Sequence, residues 1–69
     1  LIEIDFNNAD LGDLLFFKEN NFVNHVAIHL DNNEIIHSSG CVKIEKLNGN
    51  QKLNEMLFKT MSTKDLFNE

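Results

Sequence analysis

The sequence predicts an α+β fold, an antiparallel β-meander sheet followed by a C-terminal helix. Three observations predict it. Short segments between Leu1 and Leu47 alternate apolar and polar side chains, the period of half-buried strands. Clusters of Asn, Asp, Ser and Gly separate them, residue types that tolerate the backbone angles of turns. From Gln51 onward the apolar residues recur every fourth position, as on one face of a helix.

The elements follow in order. Leu1 to Phe6 places Ile2, Ile4 and Phe6 on one face and Glu3 and Asp5 on the other, which predicts a strand. Asn7 to Gly12 is a turn. Asp13-Leu-Leu-Phe-Phe17 is a short continuous apolar run, read as a strand buried on both faces, and Lys18 to Asn21 is a polar loop. Asn24 to Leu30 alternates, with Val26, Ile28 and Leu30 opposite His25, Ala27 and His29. Asp31-Asn32-Asn33 is a hairpin turn signal, and Glu34 to His37 is the return strand, broken at Ser38-Ser39-Gly40. Cys41 to Leu47 is a further strand, with Val42 and Ile44 alternating against Lys43 and Glu45. Asn48 to Asn50 ends the sheet region. Leu53, Leu57 and Met61 then define an amphipathic helix over Gln51 to Met61, and Ser62-Thr63 caps a last short turn holding Leu66 and Phe67.

Length and charge bound the function. A chain of 69 residues can build one small core, and a domain of that size buries only about 60% of the surface its unfolded chain exposes. The chain starts at Leu1 already in a strand pattern, with no disulfide framework to stabilise a mini-protein. Residues 1–69 are therefore read as one part of a larger unit. The net charge of −5, with six Lys and Arg that form no patch, argues against a nucleic-acid surface. No apolar run approaches the ~18 residues of a membrane span. Cys41 is the one cysteine, so it forms no internal disulfide. The frequent Asn reads as compositional bias without functional weight.

The most informative segment is His25-Val-Ala-Ile-His-Leu-Asp-Asn-Asn-Glu-Ile-Ile-His37. A three-residue loop at Asp31 to Asn33 pairs Ile28 with Ile36 and Ala27 with His37. His25 and His37 then share a face as diagonal neighbours, with backbones roughly 7–8 Å apart, and Ala27 leaves room for their rings to meet. A two-residue loop would put them on opposite faces. A base and its orienting partner use such a pair in nucleophilic catalysis. The plainer alternative is that each histidine is a partly buried strand residue bonded to backbone, and His29 is read that way. The face with Val26, Ile28, Leu30 and Ile36 suits a core. Zinc is disfavoured, because residues four apart on a strand lie about 13 Å apart, and no cofactor is implied. Cys41, just past Gly40 on the next strand, reads as a small apolar residue rather than a nucleophile.

Gly12-Asp-Leu-Leu-Phe-Phe17, His25-Val-Ala-Ile, Ile36-His37-Ser-Ser and Val42-Lys-Ile44, in that order and spacing, resemble the C-terminal half of the NlpC-type bacterial cell-wall cysteine peptidases. The resemblance covers about residues 11 to 47. It implies a papain-like α+β fold in which a cysteine at the start of an N-terminal helix packs against the sheet. It also implies that His25 is the general base and His37 its orienter, and Ser38, beside His37, is a candidate for lining the substrate cleft. The implied reaction is hydrolysis of peptidoglycan stem peptides, typically after γ-D-glutamate, in the cell envelope, periplasm or outside the cell. Four features depart from the family pattern. The Asp-Cys-Ser-Gly motif of the nucleophile is absent, Ala27 replaces the usual Gly, His29 stands where Tyr is common, and the tail after Leu47 lacks the closing aromatic and arginine pattern. The 69 residues by themselves are accordingly expected to be inactive, and a non-catalytic module that binds cell-wall peptide is the alternative.

Overall fold

Alternation and turn chemistry build most of the sheet. In a computed structural model, which describes residues 1–38 and 40–67, the strands are β1 (Ile2–Ile4), β2 (Leu14–Glu19), β3 (Phe22–His29), β4 (Glu34–Ser38), β5 (Val42–Lys46) and β6 (Leu57–Ser62). They form one antiparallel sheet in the order β1-β6-β2-β3-β4-β5. Strands β2 to β5 are the expected meander. Both of the first two hairpins turn on an Asn pair with positive φ, Asn20 and Asn21 (52° and 69°) and Asn32 and Asn33 (63° and 59°). Asn enters that left-handed region more easily than other residues with a side chain. These four asparagines thus have a structural task, which corrects their reading as compositional bias. Ser39, in the expected break after β4, lies outside the described residues.

Two elements differ from the sequence expectation. The first strand stops at Ile4, because the Asp5 side chain accepts from the Asn7 N–H (2.8 Å) and caps a 3-10 turn at Phe6–Asn8. The helix beginning at Gln51 ends at Met56, and the chain continues as β6 instead of helix to Met61. A spacing of four residues fits a strand as well as a helix, since four is a multiple of two. Lys59 and Met61 lie on one side of β6, Thr60 and Ser62 are buried on the other, and the bulge at Phe58 turns Leu57 to that buried side as well. What decides is the vacancy between β1 and β2, which β6 fills with antiparallel pairing on both sides. The last turn, α2 (Lys64–Phe67), forms where expected, with Leu66 N–H donating to Thr63 O.

The core lies on the histidine face of the sheet. Leu15, Phe17, Ala27, Ile35 and Leu47 are buried, and Phe6, Leu53, Met56 and Leu57 pack against them. Complete burial of Phe17 and Leu15 contributes about 1.5–3 kcal/mol each. Helix α1 (Gln51–Met56) delivers Leu53 and Met56 to this face. The opposite face was the expected core, yet Val26 is 47% and Ile28 44% exposed, and Ile36 and Leu30 are only half-buried. Likewise β2 is fully buried on one side only, since Leu14 and Phe16 are half-buried. A continuous apolar row, Met61–Leu14–Ile28–Ile36–Ile44, crosses that outer face.

A buried carboxylate ties the two ends of the chain. Asp13 Oδ1 accepts from Thr63 N–H (3.0 Å) and from the Thr63 hydroxyl (3.3 Å), and Asp13 Oδ2 accepts from Asp10 N–H (2.8 Å). Its neighbour Gly12 has φ +94°, a conformation that side chains disfavour, and its carbonyl accepts from the same Thr63 hydroxyl (3.0 Å). Burial by itself would raise the Asp13 pKa. The hydrogen bonds from Asp10 and Thr63, with the charge of Lys64, outweigh it and hold the carboxyl below its ordinary 3.8.

Candidate active site

The hairpin register places His25 beside His37. Ala27 pairs with His37 and Ile28 with Ile36, as the three-residue loop requires, so His25 and His37 are diagonal neighbours on the inner face. A bulge refines the aim of His25. Phe17 pairs with His25 and Lys18 with Val23, leaving Asn24 unpaired on β3. A second bulge lies across β2 at the same level, where Phe16 pairs with Lys59 and Phe17 with Leu57. Bulges bend a strand and redirect its side chains. Here they flank the fully buried Phe17, whose ring backs the His25 imidazole at 5.4 Å between centroids.

The two imidazoles are directly bonded. His25 Nε2 lies 2.7 Å from His37 Nδ1, with the rings close to perpendicular at 74°. His37 Nε2 lies 2.7 Å from Glu45 Oε1 on β5. The other Glu45 oxygen accepts from the Asn50 side-chain amide (3.2 Å), and Asn50 Oδ1 caps helix α1 by accepting from Leu53 N–H (3.1 Å). His37 is buried and His25 half-buried, so the series runs from the sheet interior toward an open cleft of about 360 Å³. Asn24, Lys43, Asn50 and Lys52 line that cleft with the two histidines.

The electrostatics fit a neutral base. Burial leads in lowering the His25 pKa from 6.5, the neighbouring His37 adds to it, and Glu45 opposes. The hydrogen bond from His37 leads in holding Glu45 below its ordinary 4.5, supported by Asn50 and Lys43 against partial burial. A lowered histidine pKa means that the unfolded chain binds the proton more tightly than the folded one. The associated stability is therefore present above pH 6.5 and is lost as the pH falls through the lowered folded value. Thermal melts should show the Tm of the protein falling relative to that of His25→Ala as the pH drops below 6.5. A difference that stays constant with pH would refute the shift.

The remaining candidates are placed elsewhere. Ser38 is exposed and pairs with Val42, and strand alternation turns it away from the face that carries His37. Cys41 is exposed before β5 and does not line the cleft. His29 is buried with its ring edge-on to Phe6 at 5.9 Å, and its Nδ1 has no hydrogen-bond partner among the described residues. A buried unpaired polar atom costs about 1–3 kcal/mol. His29→Phe keeps the ring contact and removes that atom, so the domain should hold or gain about 1 kcal/mol in urea unfolding. A loss above that amount would mean that the imidazole has a partner in solution. Glu45 is the residue that the sequence motifs missed. Its signal was available, because alternation puts Lys43 and Glu45 on the side opposite Val42 and Ile44, and pairing with β4 makes that the side of His37.

A sequence model of the NlpC/P60 family matches residues 2–61, most of the chain. The chain belongs to the NlpC/P60 family. That family generally comprises cysteine peptidases. No curated protein and no solved structure matches the chain. The match spans every strand of this NlpC/P60 chain up to Met61 in β6, and it includes the hairpin that carries His25 and His37. No helix among the described residues is long and apolar enough to cross a membrane.

Proposed function

We propose that this chain is the C-terminal portion of a papain-like NlpC/P60 cysteine peptidase domain that cleaves peptidoglycan stem peptides, typically after γ-D-glutamate. The observation that carries the proposal is the hydrogen-bonded pair of His25 and His37 opening onto the cleft. His25 is the general base and His37 its orienting partner. The nucleophile is a thiol on a part of the same domain outside these residues, because Cys41 lies away from the cleft. The substrate meets the protein in the cell envelope or outside the cell.

The reaction proceeds in two proton-balanced halves. A free thiol has a pKa near 8.5 and is mostly protonated at neutral pH. His25 takes the thiol proton, and the thiolate attacks the carbonyl carbon of the scissile amide. The resulting imidazolium gives that proton to the leaving nitrogen as the C–N bond breaks, which leaves a thioester. His25, neutral again, takes a proton from water as its oxygen attacks the thioester. The proton then passes to the departing sulfur, restoring the thiol and releasing the acid. A neutral base is needed at the start of both halves, and the lowered pKa of His25 supports that state.

The test is incubation of the whole protein with an L-Ala-γ-D-Glu-containing stem tetrapeptide, read by mass spectrometry, with and without prior iodoacetamide. Cleavage that alkylation abolishes is the expected result. Binding of the peptide by calorimetry without cleavage would overturn the peptidase and identify a non-catalytic cell-wall module.

A further inference from the structure

We infer that Glu45 is a positioning residue that fixes the protonation pattern of both histidines, with Asn50 holding it in place. This inference rests on His25 being the base. A carboxylate can only accept hydrogen bonds. Glu45 Oε1 therefore requires the proton of His37 on Nε2, 2.7 Å away. In the neutral ring Nδ1 is then an acceptor. His25 Nε2, 2.7 Å from that nitrogen, must be the donor. The consequence is a specific one: His25 keeps its lone pair on Nδ1, and Nδ1 is the atom that takes the proton from the nucleophile. Without Glu45, His37 could carry its proton on either nitrogen, and half of that choice would force His25 into the wrong tautomer.

The position of Glu45 is itself set by two elements. It lies diagonally from His37 across the β4–β5 pairing, where His37 faces Lys43 and Ile35 faces Glu45. The Asn50 amide donates to its second oxygen, while the same side chain starts helix α1. Lys43 Nζ stands 3.4 Å from Oε1 and offsets the charge from the solvent side. The turn between β5 and α1 thus belongs to the base machinery through Asn50.

The test is imidazole 15N–1H correlation NMR on the whole protein together with steady-state kinetics. In the unsubstituted protein, His25 and His37 should both be protonated at Nε2. A His37 proton on Nδ1 in that spectrum overturns the inference without any variant. Glu45→Ala should give mixed tautomers at both rings and lower kcat about 100-fold with KM unchanged, the scale of a small misplacement of a catalytic group. Unchanged tautomers in a folded Glu45→Ala would also overturn it. The spectra read the proton positions whether or not the protein hydrolyses peptide, so a failure of the peptidase assignment is separable from a failure of this one.

Discussion

Replacing His25 with alanine is expected to lower kcat/KM for stem-peptide hydrolysis by about 10³-fold, while Tm at pH 8 moves only a few degrees. The size follows from the two duties proposed for it, removal of the thiol proton and its return to the leaving nitrogen. The small stability effect follows from its place at the rim. His25 is half-buried and borders an open cleft, whereas the residues that fill the interior, Leu15, Phe17 and Ile35, stay where they are. Michaelis–Menten kinetics and a melting curve on the same preparation decide the matter. A fall in Tm with an unchanged rate would assign the ring to packing and remove it from the reaction.

Asp13→Ala should be strongly destabilising, costing about 3 kcal/mol. It strips the acceptor from the buried Thr63 N–H and from Asp10 N–H at once. For a domain of this size that corresponds to a drop in Tm of roughly 12–24 °C. The pH dependence has a definite sign. The folded pKa of Asp13 is lowered, so its contribution is present above the ordinary 3.8 and is lost as the pH falls through the folded value. Urea unfolding at pH 7 and pH 3 should show the gap between the protein and Asp13→Ala narrowing at the lower pH. A loss below about 1 kcal/mol at pH 7 would mean that water satisfies Thr63 when the carboxylate is gone.

Local signals made the meander legible. The Asp31-Asn32-Asn33 loop and the alternation on either side of it fixed the β3–β4 register, and with it the meeting of His25 and His37. Signals that depend on distant partners misled. Both faces of β3 and β4 are apolar enough to be a core, and only the arrival of Leu47, Leu53 and Met56 selects the face of Ala27 and Ile35. Leu57 and Met61 satisfy two periods equally, so the strand they form is decided by the gap between β1 and β2. Glu45 escaped notice because alternating charge on an outer strand normally marks a solvated face. Its contact with His37 exists only after β4 and β5 have paired.

The insertion of β6 between β1 and β2 has a consequence for the time course of folding. Strands β2 to β5 pair with sequence neighbours and can assemble hairpin by hairpin as soon as they are available. Strand β1 is different, since Ile2 pairs with Ser62 and Ile4 with Thr60 across nearly the whole chain. Contacts of such long sequence separation form late, because the entropy of closing the loop precedes any gain from the pairing. Of these six strands β1 is made first, yet it is among the last to find its place, and it waits for the strand that also brings Thr63 to Asp13. A chain stopped before Leu57 would present β1 without a partner and β2 with an open edge, the form most exposed to pairing with another molecule.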